Sequence, residues 1–162
     1  MSRAYIGLGS NEGDRLENLK AGVADLSAAD DVVVVGKSGV YDSEPVGMTD
    51  QGDFLNAVVA VETSLEPYQL LSLVLKIELA HGRQRITRWG PRTLDMDILL
   101  FGDLEQDDPE LLIPHSRLRE RRFVLEPLLE VEPEVRLPDG TSAKKLLDDL
   151  ADGQVVWRYG DL

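Results

Sequence analysis

Two stretches with helical apolar spacing, each set between short strand-like runs, restrict the fold of this chain more than any other feature. Leu16, Leu19, Val23 and Leu26 recur every three or four positions and predict a helix over 14–28. Leu70, Leu71, Val74, Leu75 and Ile77 repeat that spacing after Leu65-Glu66-Pro67, with proline suited to the first helical turn and Gly82 as the stop. Before the first helix, 4–9 reads as a buried strand. Between the helices, 32–35 and 40–41 read as one strand broken near 36–39, and 54–61 as its pairing partner, with an irregular loop over 44–53 between them. After the second helix, 83–91 has no period and is read as a loop, and 93–101 reads as a central strand closed by Gly102-Asp103. Strand, helix, strand, strand, helix, strand is the order of an α+β ferredoxin-like sandwich, in which an antiparallel sheet carries helices packed on it. The last third, with helices predicted over 123–130 and 142–150, becomes a C-terminal extension decorating that core.

A chain of 162 residues with 43% hydrophobic content can bury one core without disulfides, so 1–162 is expected to be a single domain. No apolar run is long enough to cross a bilayer, and the N-terminus enters a strand pattern directly rather than a signal peptide. The expectation is a cytoplasmic protein, working as a monomer, with no membrane partner. The absence of cysteine excludes thiolate metal sites and a cysteine nucleophile. A net charge of -13 repels nucleic acid, so any phosphate site must be a local basic patch. Such a patch is visible: Arg83, Arg85, Arg88 and Arg92 lie in one short segment, and Arg117, Arg119, Arg121 and Arg122 in another. All are arginine, the cation whose planar fork grips phosphate oxygens two at a time. Chance clustering on a solvated loop is the competing reading for either segment alone.

The strongest chemical signal is Asp95-Met96-Asp97 within an otherwise apolar strand. Residues two apart on a strand project from one face, so both carboxylates address the same place. A divalent cation offsets that repulsion, and Mg²⁺ takes one or two carboxylates alongside phosphate oxygens and water. A solvent-facing pair on an edge strand is the plainer alternative. Because the first arginine segment runs straight into this strand, anion-binding and cation-binding groups become neighbours, as phosphoryl transfer requires. Trp89 lies among those arginines, either as a stacking surface for a flat ring or as an apolar anchor. His115, beside the second arginine segment, is read as a neutral hydrogen-bond donor to phosphate, and His81 as a helix C-cap contact.

The string Arg88-Trp89-Gly90-Pro91-Arg92-Thr93-Leu94-Asp95-Met96-Asp97-Ile98-Leu99 closely resembles the signature of the hydroxymethyldihydropterin pyrophosphokinases. Further similarity covers Gly9-Ser10-Asn11, 41–47, 51–56, 78–83, Ile113-Pro114-His115 and 121–128. The resemblance implies a ferredoxin-like fold and transfer of pyrophosphate from ATP to 6-hydroxymethyl-7,8-dihydropterin. It further implies two Mg²⁺ ions on Asp95 and Asp97, with Arg83 and Arg92 also catalytic. By the same resemblance Leu71, Glu78, Arg83, Arg85, Arg88, Trp89, Arg92, Ile98, His115 and Arg121 serve ATP. Ser43, Pro45, Val46, Phe54, Asn56, Trp89, Asp95 and Phe123 would hold the pterin, its ring between Phe54 and Phe123; from periodicity alone those two read as ordinary core. Ser43 stands where the family frequently has threonine, Ser116 where it has proline or tyrosine, and the arginine loop is about one residue shorter than in some relatives. Two rivals remain: a ferredoxin-like module that binds nucleotide without turnover, and a metal-dependent nuclease or nucleotidyltransferase using the Asp pair, which the net charge of -13 and the lack of a long basic track disfavour.

Overall fold

A computed structural model describes residues 1–43, 53–82, 93–150 and 154–162. In chain order the elements are β1 (Ser2–Ser10), α1 (Arg15–Ala28), β2 (Val32–Lys37), β3 (Gly39–Ser43), β4 (Phe54–Thr63), α2 (Pro67–Ala80), β5 (Asp95–Phe101), a 3₁₀ turn (Leu118–Glu120), α3 (Arg122–Val131), α4 (Ala143–Asp149) and β6 (Val156–Asp161). All four sequence-expected helices form within a residue or two of their expected ends. Asp14 caps α1 by accepting the Glu17 N–H, and the Gln69 side chain accepts the Glu66 N–H at the start of α2, where Pro67 opens the first turn. Gly82 takes φ +77, the left-handed conformation that ends a helix without a Cβ penalty.

The sheet is antiparallel throughout, in the order β5-β1-β4-β3-β6, with β2 paired to β4. The sequence-expected break near 36–39 is real, and it divides two strands that both pair with β4. One expectation is corrected: β5 is not central but lies at the end of the sheet, hydrogen-bonded to β1 alone among the described strands. It reads as central because it is covered on both faces, and because the His115 N–H donates to the Leu99 carbonyl on its outer side. The terminal strand β6, along β3, was not foreseen.

Two apolar cores sandwich the sheet. On one face α1 and α2 press Leu19, Leu26, Leu70 and Val74 against Ile6, Leu8, Val59 and Ile98. Each fully buried leucine contributes about 1.5–3 kcal/mol. On the other face Leu118, Leu125 and Leu128 pack on Tyr5, Val58, Ala60 and Leu99, so the C-terminal third does more than decorate: it closes part of the second face. The 95–97 end of β5 and the 54–56 end of β4 fall outside that cover.

Candidate active site

The register of the sheet assembles the site. Asp95 lies opposite Gly9 on β1, Gly9 opposite Asn56 on β4, and Asn56 opposite Tyr41 on β3. One step along, Asp97 lies opposite Gly7, and Gly7 opposite Val58. Directly opposed residues share a face, so the carboxylates and Asn56 project from the second face, with bare glycine between them. A Cβ on Gly9 would sit 3.4 Å from Asn56 Oδ1 and 3.6 Å from the Phe54 ring; one on Gly7 would sit 3.5 Å from Leu99. The two glycines therefore make a floor of main chain between the carboxylates and Asn56, with Gly9 buried against Asn56 and Phe54 and Gly7 half-buried beside Leu99. Met96 and Ile98, pointing the other way, enter the first core, as period-two alternation requires.

At the acidic end the Asp97 side chain is 42% exposed, and His115 Nε2 stands 3.8 Å from its Oδ1. His115 Nδ1 accepts the Arg117 N–H, which leaves the proton of the neutral ring on Nε2, toward the carboxylates. Burial holds the His115 pKa below the ordinary histidine value; Arg121 and Arg117 push it the same way, against the pull of Asp95. Both the lowered pKa and the Arg117 contact favour a neutral imidazole with its N–H on Nε2. Burial lowers the Arg121 pKa while Asp97 and Asp95 draw it back up, and its guanidinium lies 5.4 Å from the Phe123 ring centroid. Arg117, Arg119 and Arg122 are instead drawn into surface ion pairs with Glu120, Asp139 and Glu126.

Glu78 stands on α2, behind the sheet, and is 2% exposed. Its Oε2 accepts the Met96 N–H at 2.8 Å, which pins β5 between the two aspartates. That contact serves the strand backbone and orients Asp95 and Asp97. Leu71 and Ile98 belong to or border the first core. His81 is the C-cap of α2 through its backbone, but its ring bonds Asp25 of α1 at 2.7 Å rather than a cap carbonyl.

At the other end Asn56 is fixed by its neighbours. Its Nδ2 donates to Ser43 Oγ at 2.7 Å and lies 3.4 Å from the carbonyls of Tyr41 and Phe54. Carbonyls only accept, so the amide nitrogen must face them and Oδ1 is turned toward the floor above Gly9. Phe54 and Phe123 are half-buried and belong to neither core, which removes the packing alternative for both. Tyr41 is anchored on the same face by donating to Glu130 Oε1 at 2.6 Å; burial and that carboxylate push its pKa up to about 12. Pro45, Val46, Arg83, Arg85, Arg88, Trp89 and Arg92, and the expected 44–53 and 83–91 loops apart from Asp53, lie outside the described residues. The glycine floor was missed in the sequence, although Gly7 and Gly9 at period two within a strand were its signal.

A ferredoxin-like sheet that offers carboxylates, a neutral histidine and an arginine at one end, and a fixed amide beside aromatic rings at the other, defines a small-molecule phosphotransferase. The family model of 7,8-dihydro-6-hydroxymethylpterin-pyrophosphokinase matches residues 5–133, and the chain belongs to that family. Among similar proteins, the 2-amino-4-hydroxy-6-hydroxymethyldihydropteridine pyrophosphokinase of Bacillus subtilis is 48% identical over 96% of this chain and 90% of its own. That of Methylorubrum extorquens is 47% identical over 83% of this chain and 85% of its own. Among solved structures, a variant of Plasmodium falciparum HPPK-DHPS with pterin and p-hydrobenzoate superposes with TM-score 0.70 at 16% identity, a likeness of fold. It covers 91% of this chain and 44% of that one, so this chain spans under half of the solved protein.

Proposed function

We propose that the Asp95–Asp97 end of the open face handles the ATP triphosphate and the Asn56 end holds the pterin. The chain transfers pyrophosphate from ATP to the hydroxymethyl group of 6-hydroxymethyl-7,8-dihydropterin, giving AMP and the pterin diphosphate in folate biosynthesis. The hydroxyl oxygen bonds to the β-phosphorus, the bond from that phosphorus to the AMP oxygen breaks, and the hydroxyl proton is lost. The observation that carries the placement is the single row Asp95–Gly9–Asn56, with carboxylate and amide at opposite ends of a side-chain-free floor.

Asp95 and Asp97 suit Mg²⁺ by their donor chemistry: two hard oxygen ligands adjacent on a half-exposed strand face. Two such ions would supply neutralisation of phosphate charge. His115 Nε2–H and the Arg121 guanidinium donate to phosphate oxygens beside the carboxylates. Arg83, Arg85, Arg88 and Arg92 complete the grip, Leu71 and Ile98 border the adenine, and Glu78 keeps β5 in place. Asn56 Oδ1 accepts from an N–H on the pterin edge, Ser43, Pro45, Val46 and Trp89 close around it, and Phe54 and Phe123 flank the ring. The working form is a single domain over 1–162, a cytoplasmic monomer; a net charge of -13 opposes self-association and nucleic acid alike.

Calorimetric titration of Asn56→Ala and Asp97→Ala tests the division of the face. Asn56→Ala should lose pterin affinity while keeping Mg·ATP affinity, and Asp97→Ala the reverse. Loss of the same ligand in both variants would refute it.

A further inference from the structure

A charged cluster that the reaction does not use joins α1 to the ends of β3 and β4. Arg15, the first residue of α1, lies behind the sheet, on the face opposite the glycine floor. Its Nη1 donates to the Asp53 carbonyl at 2.8 Å, one residue before Phe54. The same Nη1 is 3.8 Å from Oδ1 of Asp42, one residue before Ser43. Asp42 is buried, and that Oδ1 makes no hydrogen bond, although burial otherwise selects for satisfied oxygens. Tyr159 of β6 lies across the guanidinium, 5.9 Å from its ring centroid, so strand packing fixes the arginine from its other side.

We infer that Arg15 is a positioning residue for the pterin substrate: one guanidinium behind the sheet holds the ends of β3 and β4 together, and so sets the spacing of Ser43, Phe54 and Asn56. Ser43 and Phe54 are paired in register, and the Ser43 hydroxyl orients the Asn56 amide. A slip at either strand end therefore turns Oδ1 away from the floor. Asp42 makes the arrangement specific to a cation at position 15, because a neutral side chain there would leave its buried carboxylate uncompensated. Burial raises the Asp42 pKa while Arg15 opposes the rise, as that arrangement requires. Nothing in the cluster faces Asp95 or Asp97, so its effect is confined to one substrate.

This rests on the pterin lying at the Asn56 end, and the experiment separates the two ideas. Steady-state rates with 6-hydroxymethyl-7,8-dihydropterin and Mg·ATP are measured for Arg15→Gln, Arg15→Lys, Asp42→Asn and Asn56→Ala, with thermal melting of each. Arg15→Gln should raise the pterin KM about tenfold, the scale of a small misplacement, and leave the ATP KM within about twofold. Arg15→Lys should recover part of the loss, and adding Asp42→Asn to Arg15→Gln should worsen it no further. If Asn56→Ala raises the pterin KM but Arg15→Gln does not, the inference fails alone; if neither does, the placement of the pterin fails with it. Parallel rises in both KM values that follow a fall in melting temperature would make Arg15 a stabiliser only, and overturn the inference. Should Arg15→Gln not fold, the same split is read from Asp42→Asn, which removes the charge with little change of shape.

Discussion

The two faces of the sheet are built to opposite ends. Behind it, α1 and α2 seal a continuous apolar core from Ile6 to Ile98; in front, α3 and its neighbours cover Tyr5, Val58, Ala60, Leu99 and Leu100 and leave Asp95 and Asp97 half-exposed. The same strands carry both, since alternate residues of β5 go to the core and to the carboxylate pair. The back face is given wholly to packing and the front is divided between packing and chemistry, so substitutions a single residue apart on β5 should separate the two properties.

The widest separation is expected from Asp97→Ala: turnover should drop by about a thousandfold or more, while unfolding free energy stays within about 1 kcal/mol, as for other half-exposed positions. Denaturant titration beside an AMP-release assay checks both, and near-normal turnover would end the metal assignment. Leu26→Ala, behind the sheet, should do the converse, costing about 2–5 kcal/mol of stability while the folded fraction keeps its kcat. A kinetic defect in that folded fraction would show the faces are not separable. Glu78 bridges them, and Glu78→Ala should lower both, with about 1–3 kcal/mol lost as the Met96 N–H forfeits its acceptor and turnover falling with strand order. Gly9→Ala should fold normally, since its nearest contact is 3.4 Å, yet weaken pterin binding about tenfold; unchanged affinity would move the ring off the floor. The smallest effect concerns pH. Burial raises the Asp42 pKa in the fold, so the folded state binds more protons than the unfolded chain, and stability declines as pH rises through that folded value. Asp42→Asn should remove this slope, and an identical stability–pH profile would assign it elsewhere.

Side-chain pattern made the fold legible wherever one face of an element is apolar. Period two in 93–101 announced both the strand and the shared direction of Asp95 and Asp97, and helical spacing located α1 and α2. Neighbour relations were hidden, because a ladder is made by main-chain groups that every residue possesses. The edge position of β5 was invisible because cores on both faces and the backbone of His115 give it the composition of an interior strand. β6 was lost because Trp157 and Tyr159 leave half of their surfaces exposed and so carry little burial pattern. Within the site, the pattern grouped four arginines that geometry distinguishes: Arg121 lies beside Phe123 and within reach of the aspartates' charge, while Arg117, Arg119 and Arg122 have acidic partners that residue spacing does not reveal.

The glycine floor bears on how this enzyme could respond to an inhibitor. A compound resting on Gly7 and Gly9 would press against main chain, and any replacement there adds atoms where the natural substrate must also rest. Escape by substitution at those two positions would therefore handicap the enzyme together with the drug, whereas contacts made with the rim side chains could be shed far more freely.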